Sequence, residues 1–138
     1  MCEKLPQCVT LTSIYAIYFL TFLLAGGSKL RDGVVPDWFR GQFGKSFLAK
    51  FPGVAPAYWG IALLELLIPV LVIVSLVKGE FAPASGFYFL KLAVSMASVL
   101  FVILGFGQRL VLDFVGAANS FFYFCGTLVT QLALASVV

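Results

Sequence analysis

The chain has 138 residues, of which 62% are hydrophobic and only 11% charged. An average soluble domain is about 45–50% apolar and about 25% charged, so this sequence has too little polar surface for a water-facing globule and the wrong balance for intrinsic disorder. A net charge of +3, from nine Lys and Arg against six Asp and Glu, is too weak and scattered for a nucleic-acid face.

The length fits one domain, residues 1–138. A membrane-crossing helix needs about 20 mostly apolar residues, and four segments qualify, at about 8–25, 57–77, 87–106 and 115–138. The reading is all-α: an integral membrane four-helix bundle of antiparallel helices. Glu3 and Lys4 precede the first apolar run as in a secretory signal. No clear small-x-small cleavage site follows, and Gly26-Gly27-Ser28-Lys29 reads as the end of a retained helix.

The connection over 26–56 is long for a bundle. Trp38, Phe39, Phe43, Phe47, Leu48 and Phe51 recur close to i, i+4 spacing, with Arg40, Lys45 and Lys50 between them. This predicts an amphipathic interfacial helix over about 36–52, aromatics toward the lipid and cations toward the headgroups. A loop capping the bundle with its aromatics is the compatible alternative. The second connection, with Lys78-Gly79-Glu80 and Pro83, is short, as is the third over 105–114.

Six basic residues (Lys29, Arg31, Arg40, Lys45, Lys50 and Arg109) fall on the side of the long connection, against Lys4, Lys78 and Lys91 opposite. The positive-inside rule then puts the long connection in the cytoplasm and both termini outside it.

Within the apolar runs, Glu65 stands near the middle of the second span. An ionisable group there costs at least about 2.5–3.5 kcal/mol, so it should face the bundle interior, protonated or hydrogen-bonded. Pro69, four residues on, removes the donor to the Glu65 carbonyl. Counting 1.5 Å per residue from the predicted ends sets Tyr18 or Tyr15, Ser98 or Ser95, and Tyr123 or Asn119 at the same depth, predicting one polar layer around Glu65. Such a layer could glue helices together, hold a ligand or a quinone, or relay protons.

Lys91 enters the third span by only one turn and can snorkel; Gln131 is nearer Glu65 in depth. Arg109 and Asp113 are spaced for an i, i+4 ion pair, unless Arg109 meets a lipid phosphate. The functional alternative makes Arg109, Lys29 and Arg31 an entrance for an anionic or quinone headgroup. Gly116, Ala117, Ala118, Ser120 and Gly126 would let the last helix pack closely.

His is absent, which removes the usual proton shuttle and the commonest metal ligand. Cys2, Cys8 and Cys125 form no C-x-x-C pair. The chain carries no triad, phosphate-binding loop or dinucleotide fingerprint, which excludes a self-contained hydrolase or kinase. No catalytic residue and no metal site are assigned.

Three features resemble the DoxX-like family of small four-helix bacterial membrane proteins. The first helix ends in Gly26-Gly27-Ser28-Lys29-Leu30 before an aromatic-rich stretch, the second contains Gly60-Ile61-Ala62-Leu63-Leu64-Glu65, and a compact helix pair closes the chain. The resemblance spans nearly the whole length. It implies a bacterial inner-membrane partner of redox systems, with quinone as the one cofactor it suggests; some members are associated with quinone-linked thiosulfate oxidation and others with oxidative-stress complexes. Lys29 and Glu65 are the matching positions, without an assigned role. The lack of a Cys pair departs from what thiol chemistry would require. The expectation is a non-catalytic accessory subunit that meets lipid, membrane-protein partners or further copies of itself. The alternatives are a quinone-linked oxidoreductase component and a small-molecule or proton-coupled transporter using Glu65.

Overall fold

A computed structural model describes residues 5–50, 53–82 and 85–137. Cys2, Glu3, Lys4, Phe51, Pro83 and Val138 fall outside the described residues, as does the Leu48 side chain. The elements are α1 (Leu5–Asp32), α2 (Asp37–Phe43), a 3-10 turn (Phe47–Ala49), α3 (Val54–Val77), α4 (Tyr88–Leu110) and α5 (Phe114–Val137). Helices α1, α3, α4 and α5 are each long and apolar enough to cross a membrane.

Each of these four packs on the next in chain order, α1 on α3, α3 on α4 and α4 on α5. Between α1 and α5 the contact is sparse, which leaves a seam down one side. The core takes Leu11, Ile14, Tyr15, Tyr18 and Phe22 from α1, Ile68 and Val72 from α3, and Leu90, Ala93, Val94, Ala97 and Leu100 from α4. Ala93 and Ala97, one turn apart, let α4 lie close to its neighbours. Outward faces are apolar as well: Ile17, Leu24, Leu63, Val70, Val99, Phe122 and Leu132 are all exposed. In water so much contiguous apolar surface would be a liability; against lipid it is the ordinary exterior.

Two sequence expectations need correction. Helix α1 does not stop at the Gly26-Gly27 pair but runs on to Asp32. A mid-helix glycine costs only about 1 kcal/mol, and the chain turns instead at Gly33, whose φ of +69° suits a residue without Cβ. The interfacial segment is also not one helix over 36–52. Helix α2 has 7 residues, followed by the separate 3-10 turn. Its Phe39 and Phe43 are buried against Tyr58, the capping arrangement, while Trp38 and Phe47 point outward.

Hydrogen-bonded closures end both α3 and α4. After α3, the Gly79 N–H reaches the Leu76 carbonyl and the Glu80 N–H that of Ser75, a Schellman closure with glycine in the left-handed position. After α4 the same closure forms from Leu112 to Arg109 and from Asp113 to Gln108. There the left-handed residue is Leu112, at φ +61°. Asp113 then caps α5, its Oδ1 accepting the Gly116 N–H at 2.9 Å.

Candidate functional site

Glu65 is the carboxylate buried among the spans' apolar side chains, 6% exposed. Helix α1 approaches it closely because of Gly26, where a Cβ would lie 2.7 Å from Leu66 Cγ and 3.3 Å from Glu65 Cβ. One turn on, on the same face of α1, Lys29 Nζ donates to Glu65 Oε2 at 2.6 Å. The same ammonium stands 5.8 Å from the centre of the Tyr58 ring, within cation–π range. Tyr58 is held edge-on by Phe39 and Trp59, at 4.9 and 5.4 Å between ring centres. The capping helix α2 thus closes over the ion pair by way of Tyr58.

The polar layer expected around Glu65 is not there. Tyr18 donates to Thr130 at 3.1 Å, and Ser98 donates to Thr127 at 2.6 Å. Tyr15 meets Ser75 at 2.7 Å, Gln131 donates to Ser95 at 3.2 Å, and Tyr123 and Asn119 face outward. Helix length explains the difference. Ending α1 at Asp32 rather than near residue 25 slides its register by two turns, about 10 Å at 1.5 Å per residue. Gly26 and Lys29 therefore reach the level of Glu65, and Tyr15 the level of Ser75. Lys91, half-buried near the start of α4, lies at the far end.

Tyr18 and Tyr123 do share a place, the groove of about 260 Å³ along the α1–α5 seam, with Thr127 and Thr130 beside them. These threonines went unnoticed in the sequence, although with Gln131 they stripe α5 at i, i+3, i+4 and bond to α1 and α4.

The proposed anionic entrance is likewise dispersed. Arg31 is exposed beside Asp32 at 3.6 Å, Lys29 is committed to Glu65, and Arg109 lies over the Phe114 ring at 5.2 Å. The Arg109–Asp113 ion pair does not form, since Asp113 turns to its capping role and to Gln42.

A second buried carboxylate lies outside the expected site. Glu80, 5% exposed, accepts the backbone N–H groups of Phe89 and Leu90 and the Ser75 hydroxyl. Ser75 in turn takes the Tyr15 hydroxyl. Phe87, which precedes Tyr88 at the start of α4, has no capping side chain, and Glu80 supplies the cap from across the turn. A residue in a short polar connection gives no local signal of this.

A larger cavity, about 490 Å³, lies under α2 between the start of α3 and the end of α4. Its walls include Trp38, Phe39, Phe43 and Phe106, with Gln42, Gln108 and Asp113 among the lining.

Chemically, the Lys29–Glu65 pair is a part-buried cross-link between α1 and α3. The partly exposed lysine offsets a carboxylate charge that would be costly alone at that burial. Comparison with family models, curated proteins and solved structures finds no match.

Proposed function

We propose that the chain is a DoxX-like, multi-pass protein of a bacterial inner membrane and serves as a non-catalytic accessory subunit of a membrane complex, redox or other. The observation that carries this reading is the 2.6 Å Lys29–Glu65 pair. It joins the two positions that match the family resemblance, and it commits a buried carboxylate to holding helices together. A carboxylate so paired already has a structural role, which favours the accessory reading over the quinone-linked and proton-coupled ones. Around it, the outward apolar faces of α1 and α5 are free to meet lipid or partner subunits. In this reading the basic long connection faces the cytoplasm and both termini lie on the other side.

Purification from native membranes in a mild detergent tests the proposal. Partner membrane proteins should be retained in fixed ratio, and Glu65→Gln should lower the yield of complex without altering its turnover per assembled complex. A chain that runs as a lone monomer would overturn the reading. So would a Glu65→Gln complex that assembles fully and has lost its turnover.

A further inference from the structure

We propose that the cavity under α2 is a binding site for a lipophilic amine, an apolar body carrying a single ammonium group. The cavity's volume of about 490 Å³ falls in the range of small-molecule sites, which are mostly apolar with a few convergent polar groups. Its aromatic wall is contiguous: Phe39 and Phe43 stand 4.6 Å apart between ring centres, and Trp38 packs edge-on to Phe39 at 5.7 Å.

The polar groups decide the class of ligand. Gln42, Gln108 and Asp113 contribute two carboxamides and one carboxylate, and among the described residues no Lys or Arg lines the space. Asp113 Oδ1 is used by the α5 cap. Its Oδ2 meets the Gln42 amide only at 3.5 Å, the outer limit of a hydrogen bond, so accepting capacity remains on that oxygen. The ion pairs formed among the described residues, Lys29–Glu65 and Arg31–Asp32, leave Asp113 out. The Gln108 carboxamide is oriented by Ser120, which donates to its oxygen at 2.7 Å. Gly116 leaves the room in which Gln108 Nε2 and Asp113 Oδ2 both sit. A carboxylate outside those ion pairs, in a cavity lined by aromatic rings, favours a cation by charge and by ring quadrupole together. A neutral ligand gains neither term, and an anion is repelled.

The test uses the full-length protein in uncharged maltoside micelles at neutral pH. Decylamine, decanol and decanoic acid are titrated while tryptophan emission, to which Trp38 on the cavity wall contributes, is followed. Decylamine should give a saturable change, with decanol binding about tenfold more weakly, the ratio that 1.4 kcal/mol of charge recognition produces, and decanoic acid giving none. Asp113→Asn keeps an effective helix cap and should bring the amine down to the affinity of the alcohol. Gly60 lines the cavity, and a Cβ there meets nothing within 4 Å. Gly60→Leu should therefore fill the space and remove the saturable response while thermal unfolding changes little. Equal affinities for amine and alcohol would overturn the proposal, as would an amine response unchanged in Gly60→Leu, which marks partition into the micelle. Should Asp113→Asn fail to fold, the three-ligand comparison on the native chain and on Gly60→Leu decides alone.

Discussion

Gly26 and Gly27 are neighbours in one helix, yet only the first has no room for a side chain. A Cβ on Gly26 runs into Leu66, whereas one on Gly27 meets nothing. Gly26→Val should push α1 from α3 and break the Lys29 bond, lowering the unfolding midpoint in detergent. Gly27→Ala should leave the stability unchanged or raise it by up to about 1 kcal/mol of helix propensity. The ion pair itself calls for a double-mutant cycle. Removing one partner of a buried pair costs about 3–5 kcal/mol, because the survivor is left uncompensated. Lys29 retains 22% side-chain exposure, so Lys29→Met or Glu65→Met should fall toward the lower end of that range. The Lys29→Met/Glu65→Met double variant should be more stable than either single one, measured by thermal unfolding. Strict additivity of the two losses would mean that the residues do not act as a pair. The sequence marked both Gly26 and Lys29 as notable and Glu65 as deeply placed. It did not join them, because pairing depends on where α1 ends, and the glycines pointed to the wrong end.

At the scale of elements, the two Schellman turns form a natural comparison. Gly79 and Leu112 occupy equivalent left-handed positions, at φ +73° and +61°. A left-handed conformation costs a non-glycine residue about 1–2 kcal/mol. Leu112 is exposed and has little packing to lose, so Leu112→Gly should stabilise the chain by about 1 kcal/mol, read from the same thermal unfolding. Glu80 sets a different constraint, as it is the cap of α4 and the end of the Tyr15–Ser75 chain. Glu80→Ala strips two backbone N–H groups of a charged acceptor, each such bond being worth about 1.5–3 kcal/mol. Amide exchange at Phe89 and Leu90 should rise well before that in the middle of α4; uniform exchange along the helix would argue against a capping role. All four long helices were legible from apolar run length alone, since lipid-facing and core-facing positions are both apolar. Their ends were not, because they are set by distant caps such as Glu80 and by left-handed residues such as Gly33. Helix α2 was legible as an aromatic segment but overextended, its seven residues being only as many as Phe39 and Phe43 need to reach Tyr58.

For the whole molecule, the strength of attachment is uneven around the bundle. The α1–α3 contact combines a close glycine approach with an ion pair, and α3–α4 with α4–α5 form the broad packed layers. Across the α1–α5 seam the Tyr18 hydroxyl donates to Thr130. Hydrogen bonds between membrane helices average only about 0.6 kcal/mol, since a separated helix finds other partners in lipid. Helix α5 also buries least, with Ala117, Ser120, Thr127 and Leu134 as its buried residues. Opening should therefore start at this seam. Hydrogen exchange in micelles should run faster over 117–130 than over 62–75, and Tyr18→Phe should quicken α5 selectively while moving the unfolding midpoint little. Glu65→Met should do the reverse, loosening α1 and α3 with a large loss of stability. If both substitutions accelerate all four helices equally, the bundle opens as one unit and the seam carries no separate weakness. The contrast rests on register: Tyr18 belongs to the seam and Glu65 to the cross-link because α1 extends two turns beyond its glycine pair.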